Sequence, residues 1–302
     1  MGCFRIRIFL STLLGTSFTI MHPFVRQMAI SALRFRINTT AFFSPLQAGK
    51  LALDIFRTPR RGRLREQDLT FLEGSEQVKI QLQGQDIQTY RWIGNGPTIL
   101  MAHGWESNSA RWRTFINLFR KKGYQVVALD APGHGGSSSD RFDAHIYGLA
   151  IQAVAEQHQP DFIVGHSAGG MALLYYLSFA QPAFVKGSIV VAAPSTLRMV
   201  LNNFCKIMGF NRQTVKGLDQ AIKECFTLSA DDFSLFHFAE KTNCPGLLMF
   251  DTDDVIASYS DGQRLKDYWK NSQFKGYSGL GHSMNNKTVA EDMIQFFESI
   301  QG

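Results

Sequence analysis

A serine placed between two glycines, directly after an apolar run, is the first feature of this sequence that could do chemistry. The segment is FIVGHSAGGM, residues 162–171, in which Ser167 lies between Gly165 and Gly169. The apolar run predicts a buried parallel strand, and the residues after it predict a helix. In such a G-x-S-x-G turn, called a nucleophile elbow, the serine hydroxyl stands at the end of the sheet. Because the pattern alone is weak, the chain must also supply a base, an acid and hydrogen-bond donors.

The base that activates such a serine is usually a histidine. In chains with a nucleophile elbow, the order along the sequence is serine, acid, histidine. Two histidines follow Ser167, namely His237 and His282. His282 comes just after the last predicted strand, where a loop can return it to the end of the sheet, whereas His237 lies in a segment rich in aromatic residues. We therefore predict that His282 is the base.

The acid that orients the histidine should follow the strand before it. The segment LLMFDTDDV, residues 247–255, is apolar up to Phe250 and then offers Asp251, Asp253 and Asp254. All three can lie on the loop after this strand. The local sequence does not separate them, because aspartate is also a common turn residue.

Two backbone amides are needed to stabilise the oxyanion that forms when serine attacks a carbonyl. One is expected from Ala168, which follows the serine and begins a helix whose dipole also favours negative charge. The other is expected from Trp105, after a glycine that lets the backbone approach the substrate. The Trp105 indole is expected to form a pocket wall. His103, earlier in the same loop, is expected to hydrogen-bond within the loop.

The elements around these residues alternate between short strands and helices. The segments expected to hold strands are residues 78–82, 87–93, 97–104, 124–138, 162–170, 186–194, 244–254 and 274–283. The first two alternate in polarity and predict an antiparallel pair. The later ones are separated by predicted helices, which favours an α/β fold with a mostly parallel sheet covered by helices.

Five motifs in this order resemble the α/β-hydrolase superfamily over residues 75–300. They are His103-Gly104-Trp105, DAPGHGGSS at 130–138, GHSAGG at 165–170, DTDD at 251–254 and GH at 281–282. The resemblance implies a sheet of about eight strands, a helical cap and a catalytic triad. Members commonly place the acid before a short apolar pair, as Asp254 stands before Val255 and Ile256. The resemblance therefore favours Asp254, although Ala257 follows where many relatives have a proline.

Four segments are expected along the chain. Residues 1–70 are predicted to form a basic, apolar, helical extension, and residues 195–241 a helical cap without clear strands. Residues 71–194 and 242–302 are predicted to form the two parts of the hydrolase core. The aromatic content of the cap favours a small-molecule substrate with an apolar acyl or alkyl group.

The expected activity is hydrolysis of a carboxylic ester through a triad of Ser167, His282 and Asp254 and an acyl-enzyme. The alternative is a thioesterase or other non-ester chemistry on the same triad, and a non-catalytic ligand-binding protein is a third interpretation. No cofactor and no metal are expected, because the four cysteines match no metal or redox spacing. So few cysteines also favour reduced thiols and a cytoplasmic protein, although Cys205 and Cys225 are near enough in sequence to pair.

The positive charge of the chain is concentrated at its N-terminal end. The whole chain has a formal net charge of +6, and six basic residues precede the first acidic residue, Asp54. Nucleic acid is not expected as a partner, because no nucleic-acid-binding pattern accompanies this charge. We expect residues 1–53 either to pack on the body or to contact a membrane surface. A membrane span or signal is the third alternative, because residues 8–25 carry no charge. Polar residues within this stretch make it less apolar than a spanning helix needs to be.

Overall fold

An eight-stranded β-sheet runs through the structure, a computed structural model that describes residues 23–226 and 228–301. Its strands are β1 Glu76–Leu82, β2 Gln85–Trp92, β3 Thr98–Ala102, β4 Gln125–Leu129, β5 Phe162–His166, β6 Gly187–Val191, β7 Gly246–Asp251 and β8 Ser272–Tyr277. The order across the sheet is β1-β2-β4-β3-β5-β6-β7-β8. β2 pairs antiparallel with β1 and β4. The six strands β3 to β8 are all parallel to one another. The predicted mostly parallel sheet of about eight strands is confirmed.

Helices follow most of the strands. They are α1 Pro23–Phe43, α2 Pro45–Arg57, α3 Glu66–Leu72, α4 Arg113–Lys121, α5 Ala144–His158, α6 Ala168–Ala180, α7 Leu197–Met208, α8 Arg212–Cys225, α9 Leu235–Glu240, α10 Tyr259–Tyr268 and α11 Lys287–Gln301. Their ends follow local chemistry. The α5 helix stops at Gln159, which takes a left-handed conformation directly before Pro160. The chain after α4 turns at Gly123, which also has a positive φ.

The central strands carry apolar residues on both faces because helices cover both faces of a parallel sheet. Every residue of β5 and of β6 is buried. The strand order reverses at β3, which has β4 on one side and β5 on the other. In open α/β sheets, ligands bind in the crevice at the carboxyl ends of the strands where this reversal occurs. The elbow after β5 and the loop after β3 both begin at that crevice.

The chain divides into two compact units. The helical unit comprises the described residues up to Arg60 together with Val200–Ala230, and the sheet unit comprises Arg61–Met199 and the residues from Asp231 onward. In the helical unit, Ile37 and Ala41 of α1 pack with Ala48 and Ile55 of α2. The segment boundaries expected from the sequence, 1–70, 71–194, 195–241 and 242–302, stay a prediction.

Two glycines let helices α2 and α8 of the helical unit approach each other closely. A Cβ atom on Gly49 of α2 would lie 2.0 Å from the Gly217 backbone of α8, and one on Gly217 would lie 1.7 Å from the Pro45 carbonyl oxygen. No side chain fits at either position, so the glycines allow the two backbones to meet.

No helix among residues 23–226 and 228–301 combines the length and apolarity needed to cross a membrane. Residues 8–22, on which the span alternative mainly rests, lie outside the described residues. Cys205, Cys225 and Cys244 form no disulfide with one another.

Candidate active site

Ser167 occupies the turn between β5 and α6 in a conformation that L-residues rarely adopt, with φ 54° and ψ −121°. The turn has room only for glycine on either side. A Cβ atom on Gly165 would lie 2.6 Å from the Gly169 carbonyl oxygen, and one on Gly169 would lie 2.3 Å from the Ala102 carbonyl oxygen at the end of β3. The two glycines of the motif therefore let the elbow pack directly against its neighbouring strand.

The side chain of His282 reaches the elbow from the loop after β8. Its Nε2 lies 3.0 Å from the Ser167 Oγ, and its Nδ1 lies 2.8 Å from the Asp254 Oδ2. A carboxylate accepts hydrogen bonds, so Nδ1 carries the proton when the histidine is neutral, and Nε2 is left to accept the serine proton. His237, the other histidine after the serine, is exposed on α9. The structure brings together Ser167, His282 and Asp254.

The Asp254 carboxylate is held by a closely spaced set of donors. Its Oδ1 accepts hydrogen bonds from the Ile256 and Ala257 amides at 2.8 and 3.0 Å. Burial opposes the charge of Asp254, but the hydrogen bonds from His282 and from these two amides outweigh burial and lower its pKa. Asp254 is therefore negatively charged next to the His282 ring and can stabilise an imidazolium.

The other two aspartates of this loop face a different group. Asp251 accepts a hydrogen bond from the Leu280 amide at 3.0 Å, and Asp253 accepts one from the Gly279 amide at 2.9 Å. Asp251 also accepts from the Asp253 amide at 2.8 Å. Both carboxylates thus hold the backbone that leads into His282, and neither one reaches its ring.

Two residues that the sequence analysis did not single out also hold this loop. The His166 Nε2 donates to the His282 carbonyl oxygen at 2.8 Å, and the Arg111 Nη2 donates to the Ser283 carbonyl oxygen at 2.9 Å. Burial, followed by the positive charge of Arg111, holds the pKa of His166 well below its ordinary value. Burial lowers the pKa of Arg111 to about 10, so it stays charged at neutral pH.

His103 is engaged through both ring nitrogens. Its Nδ1 lies 2.7 Å from the Gly104 carbonyl oxygen, and its Nε2 accepts a hydrogen bond from the Ala131 amide at 3.0 Å. Burial lowers the pKa of His103 to about 4, so the ring is neutral. These bonds leave no nitrogen of His103 to accept a proton from Ser167.

The two amides predicted for the oxyanion, those of Trp105 and Ala168, flank the elbow. A Cβ atom on Gly104 would lie 2.8 Å from the Ser167 Cβ, so the loop that carries Trp105 lies against the serine. Within the described residues, neither amide donates a hydrogen bond to another group. The Trp105 indole is partly exposed and makes T-shaped contacts with the rings of His134 and Phe142. Both amides are therefore available as hydrogen-bond donors near Ser167.

In the part of the chain that the structure describes, no three His, Cys, Asp or Glu side chains cluster as a metal site would need. The arrangement brings together a serine hydroxyl, a histidine ring, a negatively charged aspartate and two amides without another hydrogen-bond partner among the described residues, which are the groups that nucleophilic catalysis by a serine uses.

Comparison with known proteins gives one family and several relatives. A sequence profile of the family described as "alpha/beta hydrolase fold" matches residues 97–282. A non-heme chloroperoxidase of Burkholderia pyrrocinia is 33% identical over 255 residues, which cover 67% of this chain and 91% of that protein. A bifunctional esterase/perhydrolase of Acinetobacter calcoaceticus is 24% identical over 258 residues, which cover 68% of this chain and 93% of that protein.

The solved structures add a likeness of fold. The crystal structure of a bacterial membrane phospholipase A matches with a TM-score of 0.61 at 16% sequence identity, and covers 92% of this chain and 97% of that one. At this identity the match concerns the fold alone.

Proposed function

This chain belongs to the α/β-hydrolase fold family, and from that premise we propose that it is a serine hydrolase that cleaves carboxylic esters through an acyl-enzyme. The observation that carries the proposal is the continuous hydrogen-bonded path from Asp254 through His282 to Ser167, with distances of 2.8 and 3.0 Å. Such a path is what a serine hydroxyl needs to become a nucleophile near neutral pH.

The first half of the reaction forms the acyl-enzyme. The Ser167 Oγ attacks the ester carbonyl carbon while the His282 Nε2 takes the hydroxyl proton. The carbonyl oxygen becomes an oxyanion and accepts hydrogen bonds from the Trp105 and Ala168 amides. His282 then gives its proton to the alcohol oxygen as the ester C–O bond breaks, and Asp254 stabilises the imidazolium in the meantime.

The second half returns the enzyme to its starting state. A water molecule gives a proton to the His282 Nε2 and attacks the acyl carbonyl. The same two amides bind the second oxyanion, and His282 returns the proton to the Ser167 Oγ as the acid leaves. The hydrogen bonds of Asp254 to the Ile256 and Ala257 amides keep its position fixed during both halves.

The substrate proposed for this site carries an apolar acyl or alkyl group. Three apolar side chains of the sheet unit stand exposed next to site residues. They are Trp105, beside its own candidate oxyanion amide, and Val255 and Ile256, which follow the candidate acid. Exposed apolar surface beside a polar reaction centre favours a ligand with an apolar arm.

A second candidate, perhydrolysis, is favoured by the comparisons. One relative is named an esterase/perhydrolase and another a non-heme chloroperoxidase. On the same acyl-enzyme, hydrogen peroxide would replace water as the attacking group, and the product would be a peroxy acid in place of the acid. Thioester hydrolysis also stays open, because it differs only in the leaving group.

One experiment separates catalysis from ligand binding. The wild-type chain should be labelled by a fluorophosphonate probe, and the Ser167→Ala variant should not be labelled. Turnover is then compared between matched oxygen esters and thioesters of increasing acyl length, and between water and hydrogen peroxide as acceptors. Absence of labelling in a folded wild-type chain would leave the non-catalytic interpretation, and faster turnover of thioesters would replace the ester assignment.

A further inference from the structure

The α1 helix presents a row of large apolar side chains to solvent. Met28, Phe35 and Phe42 are between 58% and 78% exposed. Their spacing of seven residues places them on one side of an α-helix. A surface helix of a globular protein normally turns this kind of face toward the core, so the exposure calls for a binding partner.

The orientation of α1 is fixed by its contacts within the helical unit. Ile37 and Ala41 are fully or almost fully buried in the core of the helical unit. The Arg34 Nε donates to the Met208 carbonyl oxygen at 2.7 Å, and the Asn38 Nδ2 donates to the Gly209 carbonyl oxygen at 3.0 Å. The helix therefore cannot rotate its exposed apolar row inward without losing these contacts.

Two further large apolar side chains of the helical unit are exposed. Phe43 at the end of α1 is 88% exposed, and Ile207 is 74% exposed. Ile207 directly precedes Met208, whose carbonyl oxygen bonds to Arg34, so it lies beside α1. We call five of these residues the α1 apolar face; they are Met28, Phe35, Phe42, Phe43 and Ile207.

The two units differ strongly in formal net charge. The described residues of the helical unit, 23–60 and 200–230 apart from 227, contain ten basic and three acidic residues, a formal net charge of +7. The sheet unit contains 19 basic and 22 acidic residues, a formal net charge of −3. Arg36, Lys206 and Arg212 are exposed. The apolar face thus belongs to the one unit that is strongly cationic.

We propose that the α1 apolar face is a docking surface for an anionic lipid bilayer. The aromatic and aliphatic side chains would enter the boundary between headgroups and acyl chains, while the basic residues of the helical unit would contact anionic headgroups. A second copy of the chain fits less well. An isologous dimer through this face would bring two units of +7 together, and like charges repel.

The proposal is tested by co-sedimentation of the full-length chain with vesicles of phosphatidylcholine, with and without phosphatidylglycerol. We expect binding to the anionic vesicles that weakens as salt is added, because only the electrostatic part is screened. The double variant Phe35→Ser/Phe42→Ser should lower the partition constant at least about tenfold. A matched control, Val78→Ser/Ile93→Ser, removes two exposed apolar side chains from the sheet unit and should leave binding unchanged.

Thermal unfolding of both variants checks that they are folded, which is expected because the replaced side chains are exposed. A further variant, Arg36→Glu/Lys206→Glu, should weaken binding and flatten its salt dependence. If the folded Phe35→Ser/Phe42→Ser variant binds anionic vesicles as strongly as the wild-type chain does, the proposal is overturned. A second result would also overturn it. In that case the wild-type chain binds neither vesicle type but forms a dimer in sedimentation experiments, and the Phe35→Ser/Phe42→Ser variant is a monomer, because a second copy of the chain then covers the face.

Discussion

The His166 imidazole, one residue before the candidate nucleophile, donates from Nε2 to the carbonyl oxygen of His282, the candidate base, over 2.8 Å. The elbow therefore fixes the backbone of the base as well as the serine itself. Asp251 accepts a hydrogen bond from the Leu280 amide in the same loop. Because a displacement of about 1 Å costs up to a hundredfold in rate, contacts that hold the base should matter for turnover.

Removal of the His166 donor should lower kcat with little change in KM. We expect His166→Phe to reduce kcat on the order of tenfold to a hundredfold, because the His282 loop loses one anchor. His166→Gln, which keeps a donor of similar reach, should recover most of the rate. Steady-state kinetics of the two variants, with circular dichroism as the folding control, decide the matter. Equal losses in both would assign His166 a packing role only.

Ser167 and His282 should behave as one unit. We expect Ser167→Ala and His282→Ala each to reduce kcat by about 10³-fold or more, and the double variant to lose little beyond that. The reason is that the serine hydroxyl needs the histidine to take its proton, and the histidine has no other proton to take in that step. Single-turnover rates of the three variants provide the measurement. Additive losses would show that the two residues act independently.

The three aspartates of the 251–254 loop should separate by their effects. Asp254→Asn removes the charge beside the His282 Nδ1, so we expect a loss in kcat of about 10³- to 10⁴-fold. Asp251→Asn and Asp253→Asn weaken hydrogen bonds to the Leu280 and Gly279 amides that lead into His282, so we expect a smaller loss in kcat together with a lower unfolding free energy. Urea unfolding and kcat are measured for all three. A larger kcat loss in folded Asp251→Asn would move the acid to that residue.

Stability should fall as the solution is made acidic, because buried histidines must stay neutral in the native state. Burial lowers the pKa of His103 to about 4 and that of His134 to about 3. An unfolded histidine titrates near pH 6.5, so unfolding takes up these protons below that pH. The stability that each histidine contributes is present above about pH 6.5 and is lost progressively as the pH falls toward its native pKa.

The corresponding test compares slopes. In the range from about pH 6 to 4.5, His134→Gln should lower the dependence of unfolding free energy on pH by up to about 1.4 kcal/mol per pH unit, because one proton fewer is taken up. Urea unfolding at several pH values gives both slopes. The variant is expected to be less stable at neutral pH, since it loses the contact of His134 with the Glu106 amide. An unchanged slope would mean that His134 does not titrate on unfolding.

The sheet and the elbow are predictable because their signals are local. An apolar run, a glycine pair and a helix pattern all lie within residues 162–180, and repetition of strand and helix fixes the parallel order. The position of His282 near Ser167 follows from the same logic, since both lie at the carboxyl ends of strands. The preference for Asp254 needed the family resemblance, because its neighbours in sequence have the same chemistry.

The anchors of the His282 loop could not be found this way. Arg111 and Ser283 are 172 residues apart, and the local sequence around either residue does not predict their contact. The same holds for α1, whose apolar residues have helical spacing whether they face a core or solvent. Tertiary contacts, such as the burial of Ile37 and the hydrogen bonds to Met208 and Gly209, determine which side of that helix points outward.

The conformation of Ser167 implies a compromise between activity and stability. A φ of 54° suits glycine and costs an L-residue about 1–3 kcal/mol at this ψ, so the native fold would be better served by a residue that cannot act as a nucleophile. Ser167→Gly should accordingly melt at a higher temperature than Ser167→Ala, although both are inactive. A substitution at position 167 would therefore be one of the simplest ways to raise the stability of this chain, but it would remove the nucleophile.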